Sequence, residues 1–246
     1  MRSISITHPT GRVMASAGTV QNVNCHGEAT GSANVVASGG TTPYTYSWNT
    51  APEQTSSTAS NLAAGTWTCT VTDANGCSAS RAITITQPAA ALSSSLGSVS
   101  NVACYAGATG SATVAVSGGT GPYSFSWNTT PTQNTATANG LIAGTWTCTI
   151  TDARQCSITR DVTITEPATA LSAILAQQVD VGCTGANTGS ATVDAQGGTA
   201  PYAYAWNTTP VQNTATANNL SAGTWICTVT DARGCSTSQS VTITQP

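Results

Sequence analysis

The sequence contains no lysine. Its six basic residues are all arginine, nine acidic residues outnumber them, and charged side chains make up only 6% of the chain. Nucleic acid is excluded as a partner, because its recognition needs a basic face. The missing lysines also exclude Lys–Asn isopeptide cross-links, one way in which surface proteins are stiffened. His8 and His26 are the only histidines and no Cys-x-x-Cys spacing occurs, so neither a metal centre nor any cofactor is expected. No window is long and apolar enough for a membrane-spanning helix, and no signal peptide opens the chain. Acid–base or triad catalysis lacks its paired groups: the carboxylates are scattered, no histidine recurs and no nucleophile motif appears, so no enzyme is expected.

What the chain has instead is threonine, serine, alanine, glycine, valine and asparagine, the mixture of β-sheets joined by tight turns. It also has nine cysteines, a density that in a metal-poor β protein points to an oxidising compartment outside the cell.

These residues repeat with a period of 79. Cysteines stand at 25, 104 and 183, at 69, 148 and 227, and at 77, 156 and 235; Trp48, Trp127 and Trp206 keep the same step, as do Pro9, Pro88, Pro167 and Pro246. Each proline closes a strand-like run such as "ITITQP". Three repeats are therefore expected at 10–88, 89–167 and 168–246. Residues 1–9 read as the last strand of a preceding repeat, which makes the sequence a window on a longer array. The rival reading has that strand donated to the sheet of a neighbouring molecule.

Alternation defines strands within the second repeat. "SATVAVS" sets Ala112, Val114 and Val116 on one face, "PYSFSW" does so with Tyr123, Phe125 and Trp127, and "GTWTCTITD" turns Trp146, Cys148 and Ile150 inward. "DVTIT" aligns Val162 with Ile164, an earlier strand surrounds Leu92, and "SGGTGP", "GLIAG" and "DARQC" supply turns. The count is about seven short strands, that of an immunoglobulin-like sandwich. The expected fold is all-β, three tandem immunoglobulin-like β-sandwich domains of 79 residues arranged as a rod. Tyr44, Tyr46 and Trp48 share one strand face, which reads as core rather than as a platform for sugars.

Cys69, Cys148 and Cys227 lie mid-strand on the inward face and read as buried thiols acting as small hydrophobes. Cys25, Cys77, Cys104, Cys156, Cys183 and Cys235 lie in loops and are the disulfide candidates. Pairing Cys25 with Cys77 inside one domain would close a loop worth about 4 kcal/mol in the chain-entropy picture. In a seven-stranded sandwich those loops sit at opposite ends, too far apart to bridge. Cys25 would then reach Cys156 of the next domain, and Cys104 would reach Cys235. A six-strand count would bring the loops of one domain back together, and Cys25 with Cys69 is a third possibility. Asp73, Asp152 and Asp231 recur in "TDA", where a turn-forming aspartate accounts for them better than a calcium ligand.

"CYAGATGSATVAVSGGTGPYSFSW" followed by "GLIAGTWTCTITDARQCSITRDVTIT" resembles the SprB-type repeat of Bacteroidota cell-surface and gliding adhesins. The resemblance covers all three copies and implies secreted, multi-domain, non-catalytic chains with Ig-like folds, exported to the cell surface and carrying a C-terminal sorting domain beyond this segment. It also favours pairing of the two loop cysteines within each domain. This sequence departs from the family in Cys69, where an aliphatic residue is usual, and in Trp67, where tyrosine is usual.

The function expected is that of a structural or adhesive extracellular protein, a segment of a long tandem-repeat fibre or filament that self-associates end to end or laterally. Its nearly uncharged Thr/Ser surface calls for a glycan coat or for burial in the filament; Asn128, Asn207 and Asn219 stand in N-x-S/T sequons and are the candidate attachment points. The alternative is an adhesin module that binds carbohydrate or ice through ranks such as Thr66, Thr68, Thr70 and Thr72.

Overall fold

The structure, a computed structural model, describes residues 11–246; the orphan strand expected over residues 2–9 lies outside them. Every regular element among the described residues is a β-strand. The first repeat contributes β1 (Met14–Gln21), β2 (Gly31–Ser38), β3 (Thr45–Trp48), β4 (Thr58–Leu62), β5 (Gly65–Thr72) and β6 (Ser78–Ile85). The second contributes β7 (Ser93–Ser100), β8 (Gly110–Ser117), β9 (Ser124–Trp127), β10 (Thr137–Leu141), β11 (Gly144–Thr151) and β12 (Ser157–Ile164). The third contributes β13 (Ser172–Val179), β14 (Gly189–Gln196), β15 (Ala203–Trp206), β16 (Thr216–Leu220), β17 (Gly223–Thr230) and β18 (Ser236–Ile243).

Each repeat is thus an Ig-like sandwich of two three-stranded sheets, ordered β1-β2-β4 and β3-β5-β6 in the first. The strand count is six, not seven. The strand that alternation misses is β10 with its counterparts β4 and β16, placed in what reads as a turn sequence. Only Ala138 and Leu141 of β10 are buried, and a bulge between Asn139 and Leu141 breaks the two-residue period.

The core of the first sandwich is built from the inward positions that alternation defines, Val35 on β2, Trp48 on β3, Cys69 and Val71 on β5, Ile83 and Ile85 on β6, and from Leu62 on β4, the strand that alternation misses. Trp48 is almost wholly enclosed, and its indole N–H donates to the Ser56 carbonyl at 2.9 Å, so the ring is buried without stranding its polar atom. Tyr44 and Tyr46 pack partly buried against the same cluster, and the Tyr44 hydroxyl donates to the Gly39 carbonyl. The third sandwich repeats this core around Trp206, Cys227 and Ile243.

Strand direction positions the loops. Gly31 pairs with Leu62 and Gly65 with Ile85, which gathers the start of β2, the end of β4, the start of β5 and the end of β6 at one end of the sandwich, here the head. Thr45 pairs with Thr72, which sets the start of β3 and the end of β5 at the other end, the tail. Both β3 and β4 therefore run toward the head. Residues 49–57 carry the chain from one sheet to the other without reversing it. A six-stranded sandwich with strict alternation would place the β1–β2 loop and the β5–β6 turn at the same end. With this crossing they lie at opposite ends, Cys25 at the head and Cys77 at the tail.

By packing, the chain divides into two compact units: residues up to Ser95 with Val116–Phe125 and Thr149–Thr159, and Leu96–Ala115 with Ser126–Cys148 and Arg160–Pro246. The division passes through the middle repeat rather than between repeats. The tail of the second repeat belongs to one unit with the first repeat, and the tail of the third belongs to one unit with the head of the second.

Candidate functional site: a clasp between successive repeats

The recurring feature with chemistry in it is where the tail of one repeat meets the head of the one before. In the first unit the turn Asp152–Cys156 is shaped by one carboxylate. Asp152 Oδ1 accepts the backbone N–H groups of Arg154 (2.8 Å) and Cys156 (2.9 Å), while Oδ2 accepts that of Thr120 (2.9 Å) in the Gly-Gly loop after β8. The Asp152 N–H donates to the Cys156 carbonyl at 2.9 Å, closing the turn. Glycine is required at position 119: its φ is +61°, and a Cβ there would stand 2.8 Å from Asp152 Oδ2. Burial raises the affinity of Asp152 for a proton, but the N–H groups of Cys156, Thr120 and Arg154 and the Arg154 charge outweigh it and hold the carboxyl below its ordinary value.

The opposing half is the loop between β1 and β2. It is tied to the end of β6: the Val23 N–H donates to the Thr86 carbonyl (2.9 Å), the Thr86 N–H to Asn22 Oδ1 (2.9 Å), and the Gly27 N–H to Gln87 Oε1 (2.8 Å). Two bonds then join the halves. Cys25 and Cys156 form a disulfide with a Cα–Cα distance of 5.7 Å, and the Arg154 guanidinium donates to the Val23 carbonyl at 3.0 Å. A cleft of about 330 Å³ lies beside the disulfide, with His26, Glu28 and Gln155 in its wall.

The second unit repeats this arrangement. Cys104 bonds to Cys235 at a Cα–Cα distance of 5.7 Å, the Arg233 guanidinium donates to the Val102 carbonyl at 3.3 Å, and Asp231 accepts the N–H groups of Arg233, Cys235 and Thr199, each at 2.9 Å. Pairing within each domain, which the family resemblance favours, is not what forms. The loop cysteines of one repeat sit at its opposite ends, and the bonds run between neighbours. The pairing of Cys25 with Cys69 fails too, since Cys69 is fully enclosed in the core. Cys77 and Cys183 are exposed and unbonded. Cys69, Cys148 and Cys227 are buried thiols, and burial pushes each above its ordinary pKa.

The turn reading of Asp73, Asp152 and Asp231 stands, with a tighter role than a local turn, since each carboxylate also grips a loop 32 residues away. Among the described residues no three metal-ligating side chains cluster. Asn128 and Asn207 use their carbonyl oxygens to accept the N–H groups of Thr147 and Ile226, as Asn49, outside any sequon, does for Thr68. Asn219 is exposed at φ 56°, a conformation its counterparts Asn61 and Gly140 share. The threonine ranks bond across strands, Thr66 with Thr84 at 3.3 Å and Thr70 with Ser80 at 3.0 Å. The arginine of the clasp is the functional residue that sequence reasoning missed. Its signal was a 79-residue recurrence, Arg154 and Arg233, in a chain with only six arginines.

The family model for the SprB repeat matches three segments of the chain, residues 17–52, 96–132 and 175–210. No curated protein matches the sequence. Similar solved structures include the three N-terminal domains of the bacteriophage RB49 highly immunogenic outer capsid protein, 10% identical over 97% of this chain and 100% of that one, with a TM-score of 0.39. The N-terminal eight Ig domains of Down syndrome cell adhesion molecule are 14% identical over 95% of this chain and 34% of that one, with a TM-score of 0.37. A tetra-tandem repeat from the extending region of a large adhesion protein is 13% identical over 95% of this chain and 74% of that one, with a TM-score of 0.27.

Proposed function

We propose that the three repeats of this chain form a non-catalytic load-bearing segment of an extracellular surface fibre, in which each repeat is locked to the next by a disulfide and an arginine bridge. The observation that carries this reading is the doubled clasp, Cys25–Cys156 and Cys104–Cys235, each backed by an Arg-to-carbonyl bond. Disulfides of this kind persist in oxidising surroundings, which supports a place outside the cell. A clasp at each junction limits how far neighbouring repeats can swing, and that is what a fibre needs and a soluble enzyme does not.

The fibre reading also accounts for the surface. Few charges protect the Thr/Ser faces, so lateral packing of fibres or sugars at Asn128, Asn207 and Asn219 would cover them; the intact mass of the native protein detects the sugars directly. Carbohydrate or ice binding is the second reading. Shallow grooves beside Trp67 and Trp225 favour it, but Gln54 in the first groove is already bonded through both side-chain ends to Ser60.

Small-angle scattering before and after reduction tests the fibre reading. The oxidised chain is expected to be stiffer, with a maximum dimension that becomes shorter and more variable on reduction; identical curves would refute a mechanical role for the clasps. A glycan array with saturable binding would move the assignment to the adhesin reading.

A further inference from the structure

We propose that Asn139 is a site of spontaneous deamidation, converted to aspartate or isoaspartate through attack by the backbone nitrogen of Gly140, with the Gln133 side chain promoting the step. The sequence holds two Asn-Gly pairs, Asn75-Gly76 and Asn139-Gly140. Glycine in the second place matters because it has no Cβ to shield its nitrogen. The structure treats the two pairs in opposite ways. At the first, both reacting groups are held: the Asn75 carboxamide donates to Thr41 Oγ1 at 2.9 Å, and the Gly76 N–H donates to the Asp73 carbonyl at 3.0 Å. Attack there has to break both bonds.

At the second pair the bonds lie on the main chain and favour the reaction. Gln133 spans Asn139: its Oε1 accepts the Asn139 N–H and its Nε2 donates to the Asn139 carbonyl, each at 2.9 Å. That carbonyl and the Gly140 nitrogen belong to one peptide group. A donor on the oxygen stabilises the anion left when the nitrogen gives up its proton, so Gln133 makes Gly140 the better nucleophile. The pairing of β10 with β8 passes over Gly140, setting Asn139 opposite Ser111 and Leu141 opposite Gly110, and both Asn139 and Gly140 are exposed. Water and hydroxide reach the site.

The other repeats have the span without the site. Gln54 and Gln212 bond in the same way to the main chain of Ser60 and Asn218. Ser60 has no carboxamide, and Asn218 is followed by Asn219, whose Cβ shields its own nitrogen. Conversion is therefore peculiar to the second repeat. Either product puts a new negative charge on a surface that has few charges. Isoaspartate also lengthens the main chain by one methylene, between the buried anchors Ala138 and Leu141, at the bulge where the ladder is already interrupted. In that product the former Asn139 carbonyl is a carboxylate oxygen, and the bond from Gln133 Nε2 becomes charge-assisted.

The step needs only water and hydroxide. Hydroxide removes the Gly140 N–H proton, and the nitrogen forms a bond to Asn139 Cγ, an attack made easy by proximity. The carboxamide C–N bond breaks, and ammonia leaves with a proton taken from water, which restores the hydroxide. Water then adds to one of the two carbonyl carbons of the cyclic succinimide and opens it, giving aspartate or isoaspartate. One water is consumed and one ammonia released, with nothing oxidised or reduced.

The test incubates the folded full chain at pH 8 and follows both pairs by peptide mapping, where each conversion adds about 1 Da. Asn139 is expected to convert at least about tenfold faster than Asn75, the difference that the two bonds at Asn75 impose. Equal rates in the folded chain would overturn the proposal. In urea with the disulfides reduced the two rates should converge; a gap that persists there comes from local sequence and overturns the structural cause. Gln133→Ala is expected to slow conversion of Asn139 severalfold, whereas a merely loosened strand would hasten it, so an unchanged or faster rate overturns the role given to Gln133. Gly140→Asn keeps a residue type that holds this backbone conformation at Asn61 and Asn219. It should slow conversion of Asn139 severalfold in a chain that stays folded, and conversion at the wild-type rate would refute attack by the Gly140 nitrogen.

Discussion

One carboxylate shapes each clasp turn, and its chemistry sets the acid limit of the junction. Asp152→Asn puts an amide N–H₂ where Oδ1 or Oδ2 accepts backbone N–H groups, leaving at least one buried donor facing another. The expected loss is about 1–3 kcal/mol, read as a lower urea midpoint for the first unit. The pH dependence follows from the same bonds. The carboxyl is held below its ordinary value in the folded protein, so its contribution is complete above the unfolded value near pH 4 and disappears as pH falls through the lower folded value. Unfolding followed from pH 6 down to pH 2 should show a loss of stability confined to the acid end, and Asp152→Asn should lessen it, leaving the share of Asp73, whose carboxyl is lowered in the same unit. The thiols sort by the same logic of surroundings. Native alkylation is expected to label Cys77 and Cys183 and to leave Cys69, Cys148 and Cys227 unlabelled until denaturant is added, because burial both hides those three and keeps them protonated.

Among the elements, β10 and its counterparts turn on one residue. Gly140 has φ 66°, and its counterparts Asn61 and Asn219 have φ 55° and 56°. Asparagine tolerates that conformation and a β-branched residue does not. Gly140→Asn should therefore leave thermal stability nearly unchanged, while Gly140→Val should cost about 1–2 kcal/mol. The same bulge explains what could not be read from the sequence. Strands β8, β9 and β11 announce themselves by strict alternation through Val114, Trp127 and Cys148, and the core faces of all three repeats are legible from it. In β10 the bulge interrupts the alternation, and a stretch with Gly140 in it reads as a turn. The crossing between β3 and β4 is harder still. Its lack of reversal is fixed by which sheet each strand joins, a tertiary fact with no local signature, and that crossing decides which cysteines can meet. The pairings between neighbours were legible as one alternative, and only strand direction selects them.

For the molecule as a whole, the disulfides each close 131 residues, a span for which the chain-entropy picture gives about 5 kcal/mol when one acts alone. Cys25→Ser combined with Cys156→Ser should lower stability by no more than that, because the other clasp already constrains part of the same loop. Arg154→Ala removes the guanidinium-to-carbonyl bond and should cost about 1–3 kcal/mol with the disulfide intact. Hydrogen exchange at the Val23 amide measures both, with faster exchange expected in each variant.

The two disulfides also overlap, since Cys104 falls between Cys25 and Cys156, and Cys156 between Cys104 and Cys235. From Cys25 to Cys235 there are two separate covalent routes: along the backbone to Cys104 and across its disulfide, or across to Cys156 and along the backbone. Each uses a 79-residue stretch that the other does not touch. A protease that nicks the backbone once anywhere between Cys25 and Cys235 leaves one route whole. The interleaving thus works like a two-stranded rope, in which a break in either strand leaves the line unparted.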